Sequence, residues 1–264
     1  MTRVAIIGNS HVGAYLQARD AIEAAFPTVE LSFFALPRHS FSSCCYDADG
    51  VLSAQEPPAS GLPDQIDLST VDRILMVGQS FAREGLARLV RDFDVLGLAP
   101  QGRARSVSLA LISDYAEFRV DRYCRKLARF LREDPRCVVA PAPFPAVDMP
   151  DWAFEQAGWL DHPDAEQLTA IWSDTVLWHM SSLKYGLMTQ PASLVAASGR
   201  SPAEVARAAS LPDGQAPTAA DFTHMNADYG FAHFSAFAHH WLGLEPDGRT
   251  TSPSKEHHHG LGPQ

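Results

Sequence analysis

Two short apolar runs that each stop at a glycine, Arg3-Val-Ala-Ile-Ile-Gly8 and Arg73-Ile-Leu-Met-Val-Gly78, constrain this chain more than any other feature. Runs of this length, rich in β-branched residues and free of polar alternation, read as buried strands. Val29 to Leu36 gives a further strand, and Cys137-Val-Val-Ala-Pro141 another. Between them the apolar period changes from strand-like to helical. Asn9 or Ser10 stands where a helix cap belongs, and Val12, Tyr15, Leu16, Ala18 and Ile22 recur at helical spacing until Pro27. Leu109, Ile112, Ala116, Val120, Tyr123, Leu127 and Phe130 form one long apolar stripe, with Arg119, Arg122, Arg125, Lys126 and Arg129 off it as a solvated face. Leu168 to Leu183 reads as a helix with Trp172 and Trp178 in the core, and Met225 to Leu242 as a closing amphipathic helix. Strands alternating with helices give a mostly parallel sheet in a three-layer α/β/α sandwich, a single α/β domain over residues 1–244.

The connections have their own signals. Pro37 to Thr70 is a long excursion after the second strand, with a hairpin turn at Asp47-Ala-Asp-Gly50 and then Pro57-Pro58 and Gly61. Gly97 to Arg105 reads as a basic loop, Pro141 to Pro145 as a proline-rich one, and Gly199 to Pro217 as a surface connection. The stretch 245–264 is polar, carries His257-His258-His259, and is expected to be a disordered tail. With 31 acidic against 21 basic side chains the net charge is −10, which opposes binding to nucleic acid or to an anionic membrane surface. No apolar run reaches the roughly 18 residues of a spanning helix. Val4 to Ile7 is too short for a signal-peptide core, so the expectation is a cytoplasmic protein. Four cysteines, two of them the adjacent Cys44 and Cys45, form neither a disulfide framework nor a Cys-x-x-Cys site.

The reactive groups fall at the two ends of this framework. In open parallel sheets, ligands bind beyond the carboxyl ends of the strands. Ser10 sits there, directly after the first strand. A serine nucleophile needs a base, and the base needs an orienting group. Asp221-Phe-Thr-His224 supplies both types near the other end, with Asn226, Tyr229 and Gly230 following. Spacing argues against three other readings of Gly8-Asn-Ser-His-Val-Gly13. Ser10 replaces the middle glycine of a dinucleotide fingerprint, Val12 replaces the last glycine of a nucleophile elbow, and the lysine of a phosphate loop is absent. His239 and His240 are adjacent and His233 lacks a carboxylate one turn away, so no metal site is expected. Cys44 and Cys45 have no base nearby in sequence to activate them.

These two blocks together resemble the SGNH (GDSL-like) hydrolase family. Gly8-Asn9-Ser10-His11 is similar to the family's Gly-Asp-Ser block, with Asn9 in place of Asp, and Asp221-Phe-Thr-His224 to its closing Asp-x-x-His block. The resemblance covers roughly residues 3 to 242 and implies the same sandwich. It implies Ser10 as nucleophile, His224 as base and Asp221 as the group orienting the imidazole. The family's Gly-x-Asn-Asp block corresponds to Gly78-Gln79-Ser80-Phe81, so Ser80 stands where the oxyanion-binding Asn is expected, with the Gln79 amide as a second candidate donor. The family's second block has no glycine here: Leu36-Pro37-Arg38-His39-Ser40 offers a backbone N–H near Arg38 or Ser40 instead. His11 is placed toward the pocket, while Asn226 and Tyr229 brace the histidine loop.

The resemblance implies a serine esterase or acylhydrolase working through a Ser10 acyl-enzyme. No metal or organic cofactor is expected, and the substrate is a small-molecule or carbohydrate ester. Two other readings stay open at this point: an O-acyltransferase using the same residues, and a hydrolase-like fold kept as a binding module.

Overall fold

The computed structural model describes residues 1–35, 44–55, 62–150, 152, 159–212 and 214–247. A five-stranded sheet forms the middle layer. Its strands are β1 (Thr2–Gly8), β2 (Val29–Ala35), β6 (Arg73–Gln79), β9 (Cys137–Pro141) and β10 (Gly186–Leu187), in the order β10-β9-β6-β1-β2. Every pairing is parallel, with Ile6 opposite Phe33 on one side and Leu75 on the other. This is the mostly parallel α/β/α sandwich that the strand–helix alternation predicts.

The apolar runs have no polar alternation because both faces of the sheet are covered. Val4 and Ile6 of β1, Leu75 and Val77 of β6, and Val138 and Ala140 of β9 share one core with α1 (Val12–Gln17), α2 (Arg19–Ala25) and α6 (Ala227–Phe237). The intervening Ala5, Ile7, Ile74, Met76, Cys137 and Val139 face the other core, with α3 (Arg83–Asp92), α4 (Leu109–Leu131) and α5 (Ala165–Ser181). One residue of slip in any strand would exchange these sets, so the register is fixed by burial.

The excursion after β2 folds as the turn signal predicts and goes one strand further. β3 (Cys44–Tyr46) and β4 (Val51–Ala54) pair antiparallel across Asp47–Gly50, and β5 (Gln65–Asp67) adds a third strand. Asp47 Oδ1 accepts from Asp49 N and Val51 N and so closes the turn. Pro57, Pro58 and Gly61 lie outside the described residues, as does the tail from 248 onward. The loop 97–105 is flanked by a small two-stranded sheet, β7 (Asp94–Leu96) with β8 (Ser106–Ser108), too short to have a visible period.

Four readings of the sequence are corrected. The first helix is two, broken at Ala18, and Leu16 is exposed. Neither Asn9 nor Ser10 caps it: the cap position is His11, which makes no side-chain capping bond. Trp178 is 73% exposed while Trp172 is buried, because the two occupy different faces of α5. Residues 199–217 are no mere surface connection: Arg200, Ser201, Val205 and Ala206 are buried.

One buried polar pair sits between α1 and α6. The Tyr15 hydroxyl lies 2.9 Å from His233 Nδ1, and burial pushes the imidazole down to about 4. The unfolded chain titrates near 6.5, so it binds more protons than the folded one between those values. The stability linked to His233 is full above the unfolded value and is lost as pH falls toward the folded one. Urea unfolding should therefore show a loss of about 2 kcal/mol between pH 7 and pH 5, and a His233→Phe variant should flatten that dependence.

Candidate active site

β1 ends at Gly8, and the chain turns so that Ser10 stands exposed at the carboxyl edge of the sheet. β2 lies on one side of β1 and β6 on the other, so Ser10 occupies the point where the chain's crossovers diverge. Asn9 holds this turn down. Its Nδ2 donates to the Gly78 carbonyl at 2.6 Å, and its Oδ1 accepts from His11 N at 3.1 Å. Gly78 is a glycine for a steric reason: φ is +76°, and a Cβ would lie 2.1 Å from Asn9 Oδ1 and 2.8 Å from the His11 ring. Asn9 and Gly78 thus form one unit that joins the ends of β1 and β6.

The structure brings His224 to Ser10 across 214 residues of sequence: Ser10 Oγ and His224 Nε2 are 2.7 Å apart. The loop carrying His224 is held from several directions. Its carbonyl accepts from Arg207 N at 2.8 Å and its N–H donates to Ala220 O at 2.8 Å. Ala146 N donates to Phe222 O at 2.8 Å, which ties the loop to the segment after β9. The ring of His11 meets that of His224 at 5.2 Å between centroids, tilted by 56°.

Asp221 takes a different position from the expected one. Its Oδ2 accepts from Thr218 N and Thr218 Oγ1, both at 2.7 Å, and its Oδ1 accepts from Arg207 Nε. The carboxylate therefore closes the turn at Ala219–Phe222 and anchors Arg207, where orientation of the imidazole was expected. Burial raises its pKa, but the bonds from Thr218 and the Arg207 charge outweigh this and hold it below the usual carboxylate value.

The expected oxyanion donors are also drawn elsewhere. Gln79 is buried, with Nε2 donating to Val77 O at 2.9 Å and Oε1 accepting from the Tyr123 hydroxyl at 2.8 Å. Ser80 turns its polar groups onto the same hydroxyl. Burial raises the Tyr123 phenol's pKa while the hydrogen bonds from Ser80 pull it down. Asn226 is a structural residue: Oδ1 accepts from Tyr229 N to cap α6, and Nδ2 donates to Glu204 O, Ala206 O and Ser210 Oγ. Ser40 and Arg38 lie outside the described residues. Among the described residues no group of three or more His, Cys, Asp or Glu is placed to hold a metal ion, and no helix is long and apolar enough to cross a membrane.

No protein-family model and no curated protein matches the chain. Among solved structures it is similar to a carbohydrate acetylesterase family member from Sinorhizobium meliloti. The two are 13% identical, the match covers 92% of this chain and 100% of that one, and the TM-score is 0.42.

Arg207 and Tyr123 were not singled out as site-shaping residues from the sequence, although each had a visible signal. Arg207 is a cation in an otherwise small, apolar stretch, and Tyr123 is a phenol on a buried stripe that must find a partner. Gly230 had no such signal. A Cβ there would lie 2.3 Å from the Ala14 carbonyl oxygen and 2.5 Å from its carbon, so this glycine sets how closely α6 approaches α1. Gly230→Ala should destabilise the protein by about 1–3 kcal/mol, read from the shift in denaturant midpoint, because backbone must move to admit one methyl.

Proposed function

We propose that the protein is a serine esterase or acylhydrolase, with Ser10 as nucleophile and His224 as its base. The observation that carries the reading is the 2.7 Å contact between Ser10 Oγ and His224 Nε2, with Ser10 exposed to an incoming substrate. A serine whose only task was to cap a helix would keep its hydroxyl on its own backbone.

In the proposed cycle His224 Nε2 takes the Ser10 proton as Oγ attacks an ester carbonyl carbon. The tetrahedral oxyanion is held by the Ser10 N–H. Collapse breaks the carbon–oxygen bond to the alcohol, which leaves with the proton from His224. Water then attacks the acyl-enzyme by the same route in reverse, releasing the acid and restoring Ser10. Asp221 acts in this scheme as a positioning residue. With Thr218 and Arg207 it stiffens the loop that presents His224. Its neutralisation therefore has a smaller effect than in a triad where the carboxylate holds the imidazole directly.

The test is intact-mass detection of a fluorophosphonate adduct. Wild-type protein should gain one adduct and Ser10→Ala none. His224→Gln should slow labelling by about 10³-fold or more, and Asp221→Asn by about tenfold. A folded wild type that takes no adduct at high probe concentration would overturn the esterase reading and leave a binding module. A loss with Asp221→Asn as large as with His224→Gln would restore a direct triad role for that carboxylate.

A further inference from the structure

The turn between β6 and α3 is strained where a relaxed one would serve. Phe81 and Ala82 both adopt left-handed backbone, φ 45° and 60°, and neither is glycine. Such residues are strained and persist where surrounding structure enforces them. Phe81 is wholly buried, and its carbonyl accepts from Trp172 Nε1 at 3.3 Å. Directly beyond the turn, the Arg83 side chain runs inward from the first position of α3. NH1 donates to Ala142 O and NH2 to Pro143 O, each at 3.1 Å, and the guanidinium lies 4.6 Å from the centre of the Phe144 ring.

This environment holds the cation without neutralising it. Two neutral carbonyls and the rings of Phe144 and Trp172, at 4.6 Å and 5.9 Å, surround the guanidinium and bring no negative charge to it. Among the described residues no carboxylate forms an ion pair with Arg83. Glu84, its sequence neighbour, is exposed and acts on it only through space. Burial lowers the guanidinium pKa from its ordinary value. A largely buried cation without a counter-charge favours an incoming anion. The residue keeps partial access to solvent, so an anion from outside can do so.

The charge also lies at the carboxyl edge of the sheet, just after β6, the edge at which Ser10 follows β1. Gly78, near the end of the strand that leads into this turn, accepts the Asn9 bond that holds the Ser10 turn. Ala142 and Pro143, which Arg83 grips, lead to Ala146, whose N–H holds the His224 loop at Phe222. On α6, the field of Arg83 reaches Tyr229 and pulls its phenol against the upward push of burial.

We infer that Arg83 is a receptor for a negatively charged group, so that the ester this site prefers carries a carboxylate near its scissile bond. The inference rests on the acylhydrolase reading and names the substrate class for that site. A guanidinium suits the task because its planar donors match a carboxylate's two oxygens.

The test is calorimetric titration of the intact protein with 4-acetamidobenzoate and with the neutral 4-acetamidobenzamide, neither of which needs turnover to be read. The anion should bind about tenfold or more tightly than the amide and should protect Ser10 from fluorophosphonate. Arg83→Met should abolish the preference and Arg83→Lys should retain part of it. Equal affinity for the two compounds in wild type would overturn the inference, as would a preference that survives in Arg83→Met. An anion that binds without shielding Ser10 would overturn it too, by placing the receptor away from the scissile bond. Where Arg83→Met fails to fold, Arg83→Lys and the wild-type comparison still decide. Failure of the esterase reading gives a separate signature, absence of the Ser10 adduct whatever the titration shows.

Discussion

The contact between the Ala14 backbone and Gly230 fixes the distance between the two ends of this chain. Ser10 lies just before α1 and His224 just before α6, so the approach of those helices sets the separation of the two side chains. A larger residue at 230 would push α6 outward by the radius of its own side chain, and a hydrogen bond of 2.7 Å tolerates little of that. The Tyr15–His233 bond lies in the same interface and gives it a polar lock, in which burial favours the neutral imidazole. Parallel strands deliver both helices to this position, but the fit between them is local.

Around that contact, most of the polar side chains hold the loops. Asn9 ties β1 to β6 through the Gly78 carbonyl, Asn226 caps α6 and spans three groups of residues 204–210, and Asp221 with Arg207 and Thr218 closes the turn before His224. A carboxylate engaged by three donors has little basicity left to offer an imidazole. Those bonds hold the loop that carries His224. Tyr123 plays the corresponding part beneath β6, drawing Gln79 and Ser80 away from the serine. Arg83 stands out in this setting as a cation held by neutral carbonyls and aromatic rings, with no ion-paired carboxylate among the described residues.

The fold was readable in the sequence because burial on both faces leaves a plain mark: Val4 to Ile7 and Ile74 to Val77 could only be interior strands. The meeting of Ser10 with His224 was readable because their residue types and their places on the framework agree. What was hidden depends on contacts between distant segments. Asp221 has the spacing of an orienting carboxylate, yet Thr218 stands three residues before it and Arg207 packs from another loop, and local capping wins. Gln79 offers an amide at the right strand end, but Tyr123, 44 residues away, claims it. The break at Ala18 and the exposure of Trp178 follow from which faces meet the sheet, and periodicity alone does not record that.

The central claim is that His224 Nε2 is the atom poised to accept the Ser10 proton. Long-range proton–nitrogen NMR of the histidine rings reads this directly, in wild type and in Ser10→Ala. Expected is a His224 ring protonated on Nδ1, with an Nε2 resonance of acceptor type that shifts when the Ser10 hydroxyl is removed. An Nε2-protonated ring, or an Nε2 resonance indifferent to Ser10→Ala, would contradict it.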